Sequence, residues 1–262
     1  MLKRSLSQNL LKDPNLLRKL VRLAGIGSDD VVVEIGSGQG DLTARLAEAA
    51  HLVYAVELDR TFEAYLARVQ RDSGNVKLTL NDIMKVSLSE LSGGHIVRVV
   101  GNIPYHLTGN ILFKLLEEKD VVRDAHLTIQ REVAERIASG PGSRDYGALS
   151  VIFQLYGSVK ILLYLKAALF VPPPKVDSAF VSIVFKDRET VADPGLIDFV
   201  KLCFFYKRKY LRHSLERRYD RNVIGELFSR MGFDVSKRAE EIEPWLFREM
   251  FEFMEGKERI DG

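Results

Sequence analysis

Asn102-Ile103-Pro104-Tyr105 puts an amide, a backbone carbonyl fixed by a proline ring and a phenol within four residues. These groups suit one chemical task. An adenine N6 amine is a poor nucleophile because its lone pair is delocalised into the ring. If the Asn102 side-chain oxygen and the Pro104 carbonyl accept its two hydrogens, the nitrogen is drawn towards tetrahedral geometry. Its lone pair then points at an electrophilic methyl for in-line transfer, and positioning of this kind supplies much of a rate without a general base. Tyr105 would stack on the extruded base. A plainer reading, a strand followed by a proline turn with a packed tyrosine, fits the four residues equally well.

A second constellation narrows the choice. Glu34-Ile35-Gly36-Ser37-Gly38-Gln39-Gly40 leaves a β-branched run through glycines that let the backbone turn tightly and approach a ligand. Glu57 follows seventeen residues after Gly40, in Val56-Glu57-Leu58-Asp59. A carboxylate there can accept hydrogen bonds from both ribose hydroxyls of a nucleoside. The glycine pattern is G-x-G-x-G, not the dinucleotide G-x-G-x-x-G. Asp82 closes a further apolar run and can accept from an exocyclic amine, or it can simply cap a helix. Glycine loop, Glu57 and Asp82 at three successive strand ends describe adenosine with a non-phosphate tail. S-adenosylmethionine is such a molecule.

The elements that must hold these residues are legible from periodicity. Val31–Ile35, Leu52–Leu58, Val76–Leu80, Ile96–Val100 and Ala125–Ile129 read as strands. Helical spacing begins at Leu42, runs from Phe62 to Val69 and recurs at Ile111–Leu116. That alternation predicts a parallel sheet with helices on both faces, doubly wound by right-handed crossovers. Leu155–Leu165 and Ala179–Phe185 then read as an antiparallel pair at the sheet edge, joined through Pro172-Pro173-Pro174. From Asp193-Pro194 strand signals vanish, and Phe199–Leu215, Val223–Met231 and Ala239–Met254 read as helices. The expected division is a cofactor domain over 1–188 and a small all-helical domain over 189–262.

Composition excludes several classes. The 262 residues are 46% hydrophobic and 28% charged, as in ordinary soluble domains, and carry a net charge of only +2. Cys203 is the single cysteine and the five histidines show no ligand spacing, so no metal site is expected. The longest apolar stretch, Ile161–Val171, is interrupted by Lys166 and is too short for a membrane span of about 20 residues. The N-terminus lacks a signal-peptide core, so a cytoplasmic location is expected. Charge is instead concentrated locally. Lys207, Arg208, Lys209 and Arg212, with Phe204, Phe205, Tyr206 and Tyr210 interleaved, suit an RNA backbone on one face and packing on the other.

In order along the chain, these blocks resemble the ribosomal RNA adenine dimethyltransferases of the KsgA type. Gln8-Asn9-Leu10-Leu11, the Glu34–Gly38 loop, Val56–Asp59, Asn102–Tyr105 and Gln130-Arg131-Glu132-Val133-Ala134 carry the likeness. It continues through Tyr146–Ser150, Pro172–Ser178 and Lys207–Lys209. The family usually has a Gly-Gln-Asn-Phe-Leu segment where this chain has Ser7-Gln8-Asn9-Leu10-Leu11. The resemblance implies a Rossmann-like class I methyltransferase sheet, α/β, mostly parallel, with an antiparallel edge pair and a small C-terminal all-helical domain. It implies that Asn9, Leu11, Gly36, Gly38, Glu57, Asp82 and Asn102 contact S-adenosyl-L-methionine, and that Phe170 faces Tyr105 across the target adenine. The implied reaction is dimethylation of two adjacent adenines near the 3′ end of small-subunit rRNA, by a monomer acting on that subunit or its precursor. Two other readings stand beside it: a large-subunit adenine methyltransferase of the macrolide-resistance type, and a non-catalytic rRNA-binding assembly factor.

Overall fold

The computed structural model describes residues 9–187, 189, 191–206 and 209–257. The chain divides into two compact units, Met1–Ala134 with Gly157–Val191, and Glu135–Tyr156 with Ala192–Gly262.

The first unit is built on a seven-stranded sheet. Strands β2 (Val31–Ile35), β3 (Leu52–Glu57), β4 (Val76–Leu80), β5 (Val97–Asn102) and β6 (Val122–Gln130) pair in parallel, in the order β4-β3-β2-β5-β6. Antiparallel β9 (Ser178–Phe185) and β7 (Gly157–Leu165) complete the edge. β2, β3 and β5 are mostly apolar with nearly every residue buried, as a strand covered on both faces requires. The order reverses between β2 and β5, so their carboxyl ends form the crevice where open α/β sheets take ligands. Gly101 belongs to that closeness. A Cβ there would lie 2.7 Å from the Ile35 carbonyl oxygen.

Helices α1 (Pro14–Ala24), α2 (Asp41–Ala47), α3 (Glu63–Ser73), α4 (Leu88–Ser92) and α5 (Thr108–Glu117) flank the sheet. α1 shows the local logic. Asp13 accepts from the Asn15 and Leu16 amides at 2.8 and 3.4 Å, Pro14 opens the first turn, and Gly25 closes the last at φ 64°. Its buried Leu17, Leu20, Val21 and Ala24 share one stripe and join the core with Leu46, Val53 and Phe180. A two-stranded sheet pairs β1 (Leu10–Leu11) with β8 (Phe170–Val171), setting Leu10 opposite Val171 and Leu11 opposite Phe170.

The second unit is helical, with α6 (Arg131–Ala138) starting just before it. It contains α7 (Ala148–Tyr156), α8 (Pro194–Cys203), α9 (Leu211–Leu215), α10 (Arg221–Met231) and α11 (Pro244–Met254). Three sequence readings change here. Leu155 and Tyr156 end a helix, and the edge strand begins only at Gly157. Residues 135–156 therefore group with the C-terminal helices, so the division is not a single cut near 189. The reason is packing, since α7 buries Val151, Ile152, Phe153 and Leu155 on one helix. The helix expected over Phe199–Leu215 is also broken. α8 stops at Cys203, Phe204 stacks on Phe247 at 5.6 Å, and α9 starts at Leu211.

Candidate active site

The cleft at the β2–β5 crevice is lined by Asn9, Gly36, Gly38, Glu57, Asp82, Asn102, Pro104 and Tyr105, among others. It is open to solvent and encloses about 120 Å3.

Each lining group comes from a strand end. β2 delivers the glycine loop, whose Gly36 amide donates to the Val56 carbonyl at 2.9 Å. Gly38 has φ +53°, and a Cβ there would sit 2.9 Å from Leu10 Cδ2. Only glycine keeps both that backbone and the space beside Leu10. Its amide donates to Glu57 Oε2 at 2.8 Å, and the Asp59 amide donates to Oε1 at 2.7 Å. Burial pushes the Glu57 carboxyl upward, against the pull of these amides. Each carboxylate oxygen keeps acceptor capacity for a further donor. Asp82 lies at the end of β4 and caps the following turn, its Oδ1 accepting from the Met84 amide at 3.0 Å. Both readings of Asp82 therefore hold: it is a cap and it lines the cleft.

At the end of β5 the Asn102 side chain is oriented by a backbone group. Its Nδ2 donates to the Asn9 carbonyl at 2.6 Å. That commits the nitrogen and leaves Oδ1 as the acceptor for an incoming amine. The Pro104 carbonyl accepts from the Leu107 amide at 3.0 Å and retains a second lone pair. The Tyr105 hydroxyl pairs with Ser178 Oγ at 2.7 Å, and burial raises its pKa. Ser178 is fully buried at the start of β9. The turn before it is tied down: the Asp177 carboxylate takes Lys166 Nζ at 2.9 Å and the Ala167 amide at 3.0 Å, and the Asp177 carbonyl accepts from the Arg131 amide. This explains the Pro172–Ser178 block as an anchor for the Tyr105 ring. Ser178→Ala should slow methyl transfer by up to about tenfold, the worth of one hydrogen bond, with cofactor affinity unchanged. Steady-state rates against cofactor titration check this; equal loss in both would make Ser178 a folding residue.

Glu34 is a group whose charge state the sequence left open. It is buried under the glycine loop, accepts a short hydrogen bond from Thr43 Oγ1, and burial pushes it up to about 7.

Two expected site residues stand elsewhere. Phe170 does not line the cleft; it is 2% exposed and packs with Leu11, Leu165 and Phe180 in the core. Leu11 is likewise buried, beside a small recess that also includes Glu34, Ser37 and Asn102. Alternation along β1 sends successive side chains to opposite faces, so Leu10 lines the cleft and Leu11 meets Phe170. Lys207 and Arg208 lie outside the described residues. Lys209 and Arg212 belong to the second unit, where Lys209 is exposed and Arg212 partly buried. Sequence reasoning missed the Asn9 carbonyl and Ser178 as positioning groups, because neither a backbone oxygen nor a single serine carries a spacing signal.

Residues 1–255 match the family described as Ribosomal RNA adenine dimethylase. The chain is 41% identical over 226 residues to the Ribosomal RNA small subunit methyltransferase A of Chlorobaculum tepidum, covering 86% of this chain and 81% of that protein. It is 36% identical over 258 residues to the protein of the same name from Shouchella clausii, covering 94% and 87%. Among solved structures, a dimethyladenosine transferase from Plasmodium falciparum superposes with TM-score 0.82 at 25% identity, covering 95% of this chain and 98% of that one. The 23S rRNA methyltransferase ErmE superposes with TM-score 0.73 at 24% identity, covering 94% and 99%, and shows the shared fold.

Proposed function

The chain belongs to the ribosomal RNA adenine dimethylase family, and from that premise we propose that it dimethylates N6 of two adjacent adenines near the 3′ end of small-subunit rRNA. The supporting observation is the Asn102 amide, its nitrogen committed to Asn9 and its oxygen left at the cleft. The residues also fit the cofactor. Gly38 at positive φ leaves room beside Leu10, while Glu57 and Asp82 offer carboxylates at neighbouring strand ends. S-adenosyl-L-methionine, when bound, supplies a methyl group on a positively charged sulfur.

The chain's residues do the rest. Glu57 holds the ribose hydroxyls, and Asp82 accepts from the cofactor's adenine amine. Asn102 Oδ1 and the Pro104 carbonyl accept the two hydrogens of the target amine, turning its lone pair out of conjugation and towards the methyl. Tyr105, its hydroxyl held by Ser178, gives the base a stacking face. Ile103 and Ile111 line the same cleft and exclude water. Methyl transfer leaves a proton on nitrogen, which passes to solvent before a second methyl can be added. For Phe170 to reach the base from the other side, the pairing of β1 with β8 must open.

The substrate is the small subunit or its precursor, met by a monomer in the cytoplasm. No described helix is long and apolar enough to cross a membrane. The competing large-subunit reading rests on the shared fold with ErmE. Labelled cofactor given separately to unmodified 30S and 50S particles separates the two. Label should enter 30S rRNA; label confined to 50S rRNA would overturn the proposal.

A further inference from the structure

The second unit carries a cleft with no part in methyl transfer. Tyr206, Lys209, Tyr210, His213, Glu216 and Arg238 line it, and it encloses about 510 Å3. It arises where the helix breaks. Tyr210 precedes α9 and His213 follows three residues later, on the same face. Their rings lie 6.1 Å apart and within 21° of parallel.

Cations gather on these rings. Lys209 Nζ is 4.6 Å from the centre of the Tyr206 ring. The Arg212 and Arg238 guanidinium carbons are 5.6 and 5.9 Å from that of Tyr210. Arg217 sits over Phe205 at 3.8 Å and donates to the Tyr206 hydroxyl at 3.3 Å. Carboxylates neutralise this group only in part, Arg238 lying 4.0 Å from Glu240. Glu216, the one acidic lining residue, is engaged by Arg221 at 3.4 Å and lies 3.9 Å from His213. Among the described residues Arg212 has no ion pair, and its Nε is buried without a hydrogen-bond partner. A guanidinium held by a ring face keeps its N–H groups for an anion.

We infer that this cleft binds an unpaired nucleotide of an RNA single strand, distinct from the target adenine. The base lies against Tyr206, Tyr210 and His213, and the adjoining phosphate meets Lys209, Arg212 and Arg238. The combination decides the ligand class. Cations alone would accept any phosphate, but an aromatic wall is useful only to a planar group with an exposed face. A duplex hides those faces in its stack, whereas a single strand presents them. The inference rests on RNA being the substrate and adds the kind of RNA contact made.

The test uses the full-length protein and fluorescence anisotropy with three labelled probes: a short oligoadenylate, the same strand annealed to its complement, and an abasic strand of equal length. The single strand should bind tightest. Tyr210→Ala should weaken it about tenfold, as loss of one stacked base does, and change abasic binding by less than about twofold. Tyr210→Phe should restore wild-type affinity, and His213→Ala should weaken the same probe, guarding against a folding defect in any one variant. Arg212→Gln should lower the slope of log affinity against log salt by about one. Wild-type affinity in both Tyr210→Ala and His213→Ala would overturn the inference. So would equal binding of all three probes, or displacement of the strand by a phosphopeptide as readily as by unlabelled RNA. Because free oligonucleotides are used, failure here leaves 30S methylation by the same protein preparation intact, while loss of that methylation leaves these affinities intact.

Discussion

Asn102→Ala lowers the rate of methyl transfer by roughly 10²–10³-fold, the loss seen when one preorganised polar group is removed from a reacting centre. RNA affinity stays within a few-fold of wild type, and cofactor affinity falls far less than the rate. The expectation follows from the geometry. The amide nitrogen is spent on the Asn9 carbonyl at 2.6 Å, so the side chain contributes one directed acceptor to the cleft. Alanine removes that acceptor and leaves a target amine in conjugation with its ring. It also removes the hydrogen bond to the Asn9 carbonyl, a loss that acts on the strap formed by β1 and not on the RNA. Single-turnover rates, with cofactor binding followed by calorimetry and RNA binding by anisotropy, separate these effects. Equal loss of rate and RNA affinity would make Asn102 a structural residue, and the reading of the clamp would fail.

The second large effect is on stability. Arg98→Met should cost about 3 kcal/mol, the low end for a broken buried pair, because it takes the buried cation from Asp124 and the partly buried Asp30 and leaves them only the half-exposed Arg123. Arg98 sits in β5 with its side chain 7% exposed. Its Nε donates to both Asp124 oxygens at 2.8 and 3.1 Å, and its NH1 to Asp30 Oδ2 at 2.8 Å and the Gly25 carbonyl at 2.6 Å. NH2 reaches the Ala24 carbonyl, which ties the end of α1 to the sheet. His126 Nε2 lies 3.2 Å from Asp124 Oδ1 and completes the cluster. Urea denaturation measures the change, and a loss under about 1 kcal/mol would mean that the cluster is no better than a surface pair.

The same cluster sets the acid limb of stability. Burial raises the Asp124 carboxyl, but hydrogen bonds from His126 and Arg98 outweigh it and hold the group at about 2; Asp30 is lowered as well. Carboxyls with a depressed folded pKa stabilise the protein above their ordinary value of 3.8, and lose that contribution as pH falls through about 2. Glu34 works in the opposite sense. Its pKa is raised by burial from 4.5 to about 7, so the folded state binds the extra proton and stability declines as pH rises across that window. The cofactor-free protein should therefore be most stable between about pH 4 and 5, and Arg98→Met should flatten the acid side of the curve.

Much of the fold was readable because its strands are apolar runs with glycine at their ends. Val31–Ile35 matches β2 residue for residue, and the two strand-end carboxylates, Glu57 and Asp82, line one cleft with Gly36 and Asn102. What escaped was made by tertiary contact. β1 and β8 are two residues each, too short for any periodicity, and only their pairing exists. Phe170 was placed by motif at the target base, but in this arrangement pairing with Leu11 and packing against Leu165 and Phe180 keep its ring in the core. No glycine or proline marks the break at Phe204–Tyr210; it is made by stacking on Phe247 and by the Tyr206 amide reaching Ser214 Oγ at 3.4 Å. Arg98 sits inside an apolar run and Asp124 lies just before the Ala125–Ile129 run, and only strand register brings them side by side.

The most direct test of the central claim is digestion and mass analysis of rRNA from unmodified 30S particles incubated with the protein and isotopically labelled S-adenosylmethionine. The account predicts two neighbouring residues of labelled N6,N6-dimethyladenosine near the 3′ end of the small-subunit RNA, formed at least about a hundredfold more slowly with Asn102→Ala. Unlabelled RNA from the wild-type reaction, or label on a base other than adenine, would contradict it.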